Sequence, residues 1–190
     1  MELLKQEIVK KGKVLPGHVL KVGSFLNQQM NVGLLSQMAG DIYARFKDKG
    51  VTKILTVEAS GIALAVLVAE KFKVDAVFAK KSKTANVEGK VYSAECYSFT
   101  HKKSNTLIVP EEYIEKADNL LIVDDFLANG EAIRSLKSIV EQAGATLAGA
   151  AIAIEKGFQG GGDKLREEGI DLYSLAIVES MDQDGLTFRD

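Results

Sequence analysis

A mainly parallel β-sheet with helices on both faces, an α/β fold, is what this 190-residue sequence predicts. Three observations lead there. Short apolar runs such as Leu120–Val123 and Thr146–Ile154 are bounded by turn residues and read as strands buried on both faces. Segments with helical apolar spacing alternate with them, which makes the strands parallel and the helices their crossovers. No repeat period, low-complexity tract or Pro-rich linker divides the chain, so a single domain is expected over 1–190.

The elements follow in order. Leu3, Leu4, Ile8 and Val9 predict a short amino-terminal helix closed near Gly12. Val14–Met30 carries apolar points at Leu15, Val19, Leu20, Val22, Phe25 and Leu26 without clean alternation, so an irregular hood packing on another element is expected within residues 1–32. Leu34, Leu35, Met38, Ile42 and Phe46 share one face of a helix near Gly33–Lys47 that Gly50 closes, and that stripe is core. Lys53–Glu58 reads as a buried strand, Ser60-Gly61 opens a helix to about Lys73, and Asp75–Lys80 is another strand. After a polar stretch to Gly89, Lys90–Phe99 and Asn105–Val109 read as two antiparallel strands, a flap within residues 80–110. Leu120–Asp124 is a strand, Gly130–Ala143 its helix, and Thr146–Ile154 a further strand. Gly160–Gly162 turns into a short charged helix at Asp163–Glu168, and Asp171–Val178 is the last core strand.

Composition narrows the function. With 46% hydrophobic and 26% charged residues and a net charge of -2, the chain is an ordinary globular protein without the basic surplus that grips nucleic acid or an anionic membrane. One cysteine, Cys96, excludes an internal disulfide and a multi-cysteine metal site; it fits a reduced, cytoplasmic setting and reads as packing rather than a nucleophile. The amino terminus lacks a secretory pattern, and the apolar stretch at Ile62–Ala69 is too short to span a bilayer. The two histidines, His18 and His101, have no partner by spacing, and no catalytic role is expected for either.

The most informative stretch is Leu120–Ala132. A buried strand runs into two adjacent carboxylates, Asp124 and Asp125, then a turn of small residues, Ala128, Asn129 and Gly130, then a helix beginning with Glu131 and Ala132. Ligands of open α/β sheets sit at the carboxyl ends of strands. Unpaired N–H groups and the positive end of a helix dipole suit a phosphate, and acceptor-only carboxylates suit sugar hydroxyls. The Gly-Lys-Ser/Thr end of a P-loop and the spacing of a dinucleotide fingerprint are both absent. Glu58, Ala59, Ser60 and Gly61 form a second strand-to-helix turn with the same physics, so a sugar carrying phosphates at both ends would find two cradles. Lys80, Lys81 and Lys83 form a basic cluster before the flap, and Lys156 follows a strand end.

The segment Val123–Ala132 resembles the phosphoribosyl pyrophosphate signature of the type I phosphoribosyltransferases, and the resemblance extends over essentially the whole chain. The hood is similar to that of the bacterial xanthine branch. The resemblance implies that Asp124 and Asp125 hold the ribose, residues Ala128–Ala132 the 5-phosphate, and the turn Glu58–Gly61 with Lys81 the pyrophosphate, with Lys81 acting across a homodimer interface. It implies a mobile flap, a base held by Leu20, Asn27 and Lys156, and magnesium carried by substrate and water rather than by protein ligands. From the residues themselves, Phe126 and Phe158 either offer apolar faces to a flat base or fill the core, and whether Glu155 and Asp184 point into the pocket is left open. The expected reaction is phosphoribosyl transfer to xanthine. Guanine, hypoxanthine or adenine as the base is the first alternative. The second is a purine-responsive regulator, which needs an added DNA-binding domain for which no spare segment is seen.

Overall fold

The computed structural model describes residues 1–81, 89–98, 103–182 and 185–189. In chain order the elements are α1 (Glu2–Lys11), β1 (Lys13–Leu15), β2 (Val19–Lys21), α2 (Val32–Phe46), β3 (Lys53–Val57), α3 (Gly61–Phe72), β4 (Asp75–Ala79), β5 (Val91–Ser98), β6 (Lys103–Pro110), β7 (Asn119–Leu127), α4 (Glu131–Gln142), β8 (Thr146–Lys156), α5 (Gly161–Glu167), β9 (Leu172–Asp182) and β10 (Gly185–Phe188). Among the described residues the main sheet has six strands in the order β10-β9-β8-β7-β3-β4. All its neighbours run parallel except β10 against β9.

The central strand shows why these runs read as contiguous apolar stretches. Successive residues of β7 face opposite sides of the sheet. Leu121 and Val123 pack with α2, α3 and the hood, while Leu120 and Ile122 pack with Ile133, Leu136 and Ile139 of α4. Both faces are therefore apolar, as parallel sheets require. The amino-terminal helix is fastened across β9, where the Met1 ammonium donates to the Leu175 carbonyl and Leu4 and Ile8 are fully buried.

Several boundaries differ from the sequence reading. The hood is not irregular: β1 and β2 form an antiparallel hairpin, and Gly23–Asn27 is a π-helical turn. The hairpin turns through Gly17 (φ 81°) and His18 (φ 59°), and three-residue strands are too short to show a period. β7 runs on through the acidic doublet to Leu127, and β8 to Lys156, because each supplies the other's partners (Phe126 opposite Ile154, Leu127 opposite Glu155). The last long strand continues to Asp182 and pairs with β10, which the sequence did not announce. The strands β5 and β6 are antiparallel, in register from Val91↔Pro110 to Ser98↔Lys103, and β5 is joined to α4 by the hydrogen bonds Ser135–Glu95 and Gln142–Ser93. Lys83, His101 and Asp184 lie outside the described residues. Among the described residues no helix is long and apolar enough to cross a membrane.

Candidate active site

The cleft begins where the sheet parts. β3 pairs with β7 only from Lys53↔Leu120 to Leu55↔Ile122, and beyond that point the two strands separate. Residues 124–127 continue on β7 with β8 as their partner. The opening is a cleft of about 670 Å³ lined by parts of the two strand-to-helix turns, the acidic doublet, Lys81, Lys156 and the hood tip at Pro16–Val19.

Both carboxylates are withdrawn from solvent, with Asp124 5% and Asp125 7% exposed. Asp124 Oδ1 accepts from the Asp125 backbone N–H at 2.9 Å. Asp125 Oδ2 accepts from Asn27 Nδ2 at 3.3 Å, which ties the hood to the doublet. Burial, and then the adjacent Asp125 charge, hold the Asp124 carboxyl well above the usual carboxylate range.

Helices α3 and α4 start beside the doublet and direct their amino-terminal dipoles into the cleft. The turn before α3 contains a cis Glu58–Ala59 peptide and is secured by Glu58, whose Oε1 accepts from the Lys81 N–H at 2.7 Å. Ser60 makes no side-chain cap bond, so its hydroxyl at the cleft is not consumed by the helix. A Cβ at Gly61 would lie 2.2 Å from Thr56 Oγ1 and 2.9 Å from Asp124 Oδ1, so only glycine fits. In the turn before α4, Gly130 has φ 88°, and Arg134 Nη1 donates to the Asn129 carbonyl at 2.9 Å.

At the far end, Lys156 Nζ donates to the His18 carbonyl at 3.0 Å and stands 5.8 Å from the centre of the Phe126 ring. Burial pushes its ammonium below the ordinary lysine range. The His18 ring leans on Phe158, with centroids 5.4 Å apart. Thus Asp124, Asp125, residues 128–132, Glu58, Ser60, Lys81, Phe126 and Lys156 share one cleft. Ala59 and Gly61 form the backbone behind it, and Leu20 packs into the core under the hood at 6% exposure. Asn27 reaches the doublet rather than the open space. His18 and Gln159 also line the cleft, and no sequence spacing singled them out. Cys96 lines it from β5 with its thiol pushed up by burial, which leaves it a poor nucleophile.

A phosphoribosyl transferase domain model matches residues 22–168, from the hood through both turns to the end of α5. The chain belongs to the phosphoribosyltransferase family. Xanthine phosphoribosyltransferase of Ruminiclostridium cellulolyticum is 50% identical over 190 residues, all of both chains. The enzyme of that name from Bifidobacterium adolescentis is 50% identical across this whole chain and 98% of its own length. One from Bacillus cereus is 46% identical over 188 residues, 99% of this chain and 95% of the relative. Among solved structures, the Giardia lamblia adenine phosphoribosyltransferase complexed with 9-deazaadenine superposes with a TM-score of 0.77 at 20% identity, covering 94% of this chain and 98% of that one. The Trypanosoma brucei adenine enzyme gives 0.75 at 19% identity, covering 92% of this chain and 79% of that one. At such identities the structural likeness speaks for the fold, and the sequence relatives carry the nearer kinship. In this phosphoribosyltransferase the parted strands, the doublet and the two helix starts lie within the matched segment.

Proposed function

We propose that the chain transfers the 5-phosphoribosyl group from phosphoribosyl pyrophosphate to a ring nitrogen of xanthine, giving xanthosine 5′-monophosphate and pyrophosphate. One observation carries this: two helix amino termini flank a buried carboxylate pair in a single cleft, which suits a sugar phosphorylated at both ends. Kinship at 46–50% identity over the full chain with enzymes named for xanthine supports the choice of base.

In this reading, backbone N–H groups of residues 128–132 cradle the 5-phosphate, and the turn at 58–61 with Lys81 receives the pyrophosphate. Asp124 and Asp125 accept from the ribose hydroxyls. As the anomeric C–O bond breaks, positive charge builds on the ribose ring and is stabilised by these carboxylates in a site with little water. The protein has no covalent step to perform, only positioning and the exclusion of water that would trap the cation. Lys156 donates to the oxo group at purine carbon six, Asn27 meets the other polar edge, Phe126 covers one face, and Leu20 supports the hood. Lys156 and Asn27 already hold internal partners, His18 and Asp125, so an entering base exchanges one set of hydrogen bonds for another.

Among the described residues no group of three or more His, Cys, Asp and Glu side chains is arranged to hold a metal. A substrate rich in phosphate oxygens fits a magnesium ion that takes its ligands from substrate and water. When bound, magnesium supplies charge neutralisation on the leaving pyrophosphate. The reading also includes a homodimer with its sites near the interface, Lys81 serving its own cleft or reaching across to the partner's, in a cytoplasmic setting.

The test is incubation with phosphoribosyl pyrophosphate, magnesium and each purine in turn. Xanthine is expected to be the preferred acceptor. Equal or better turnover of adenine would sink the role given to Lys156. Light scattering of an active monomer would remove the shared lysine.

A further inference from the structure

Helix α5 has seven residues and touches both ends of the cleft without lining it. Its first residue lies on the turn before α4: a Cβ at Gly161 would sit 2.1 Å from the Ala128 carbonyl oxygen and 2.5 Å from the Asn129 carbonyl carbon. Just past its end, Glu168 accepts from Arg134 Nη2 at 2.7 Å and Nε at 3.0 Å, and that same guanidinium holds the Asn129 carbonyl at 2.9 Å. On its other side, Arg166 forks onto Glu155, Nη1 to Oε1 at 3.0 Å and Nη2 to Oε2 at 2.7 Å. Glu155 is completely buried, accepts also from Ser174 Oγ at 2.5 Å, and is the residue before Lys156. A Cβ at Gly162 would lie 2.0 Å from Glu155 Oε1, so the helix presses against that carboxylate. Asp163 joins Arg166 (3.2 Å) to Arg189 (2.7 Å), which anchors the assembly to the carboxyl-terminal strands through Glu179 (2.7 Å).

A buried ion pair contributes little net stability relative to good apolar packing, but a two-point fork admits one geometry. Here the fork ties the strand end that presents Lys156 to the helix that backs the turn 128–131. We propose that α5 is a brace that sets the span between the 5-phosphate cradle and the purine anchor, and that Arg166 and Glu168 are positioning residues for the transfer. The inference rests on the function proposed above. Transfer without covalent catalysis depends on holding the anomeric carbon and the purine nitrogen in line, and a misplacement of about 1 Å can cost about a hundredfold in rate.

The experiment compares the parent with Arg166→Lys, Glu168→Gln and the double variant, using xanthine and phosphoribosyl pyrophosphate with magnesium. Each single change is expected to lower kcat by about tenfold to a hundredfold while each KM moves less than about threefold, because the separate binding surfaces survive and only their relation changes. The double variant is expected to be no slower than the worse single variant, as for two ends of one brace. Singles with kcat within about twofold of the parent, or losses that multiply in the double, overturn the brace. A parent that turns over no purine overturns the function reading instead. If Arg166→Lys does not fold, Ser174→Ala takes its place at the Glu155 end, under the same expectations.

Discussion

The two strand-to-helix turns at the cleft, 58–61 and 128–131, look alike in sequence and differ in what their glycines do. Gly130 is required for conformation, since its φ of 88° lies in the left-handed region that other residues avoid. A side chain there would also sit 3.1 Å from Leu165 and 3.2 Å from Arg134, a tight but yielding fit. Gly61 is required for space: its Cβ would overlap Thr56 and crowd Asp124. The first turn therefore presses directly on the carboxylate doublet, whereas the second is fastened from outside by Arg134 and α5. In the proposed reading, an error in the first turn reaches the ribose carboxylates directly, and one in the second reaches the 5-phosphate cradle and, through α5, the strand end that presents Lys156.

The largest expected effect comes from the carboxylate that the first turn touches. Asp124→Asn should lower kcat by about a hundredfold to a thousandfold. It should also change the pH dependence of stability. The raised carboxyl binds its proton more tightly in the folded chain, so its contribution is full below the ordinary carboxylate range and is lost as pH rises through the raised value. The asparagine variant, neutral throughout, should gain stability over the parent as pH rises from acid to neutral, measured by urea unfolding across pH. A parallel pair of profiles would refute the buried-acid description.

Gly61→Ala should cost about a hundredfold in turnover through displaced Asp124. Adding Thr56→Ala, which removes the closer of the two clashing atoms, should recover part of that loss. Turnover unchanged in the single variant would end the contrast between the turns. Gly130→Ala should cost about 1–2 kcal/mol of stability and weaken binding of the sugar phosphate, seen by denaturation and calorimetry. Gly130→Asn should be milder, because asparagine tolerates the left-handed region. The smallest effect belongs to Ser60→Ala. With no cap bond to lose, stability should stay within about 0.5 kcal/mol, while KM for phosphoribosyl pyrophosphate rises roughly two- to tenfold. A clear drop in melting temperature would show instead that Ser60 serves its helix.

Legibility in the sequence followed the kind of signal each region carries. Leu120–Asp124 and its helix were readable because a strand buried on both faces leaves a contiguous apolar run and an amphipathic helix leaves a period. The turn at 58–61 gained meaning only beside the second turn. The hood resisted reading because its strands are three residues long and one of its two left-handed turn residues, His18 at φ 59°, is not a glycine. Glu155 was a strand-end acid whose direction the sequence left open, and it is buried away from the cleft. Its role depends on Arg166, eleven residues away in the chain, meeting it behind the strand end that presents Lys156.

By itself the sequence determined the alternation of buried strands and amphipathic helices, the acidic pair at a strand end and the two glycine-bearing turns, since each is written in local composition and spacing. Only the tertiary structure decided where β3 and β7 part, that Asn27 and Lys156 hold Asp125 and His18, and that α5 spans the two ends of the cleft. Those relations join residues far apart in the chain, and the packing of side chains across that distance leaves no periodic trace along the backbone.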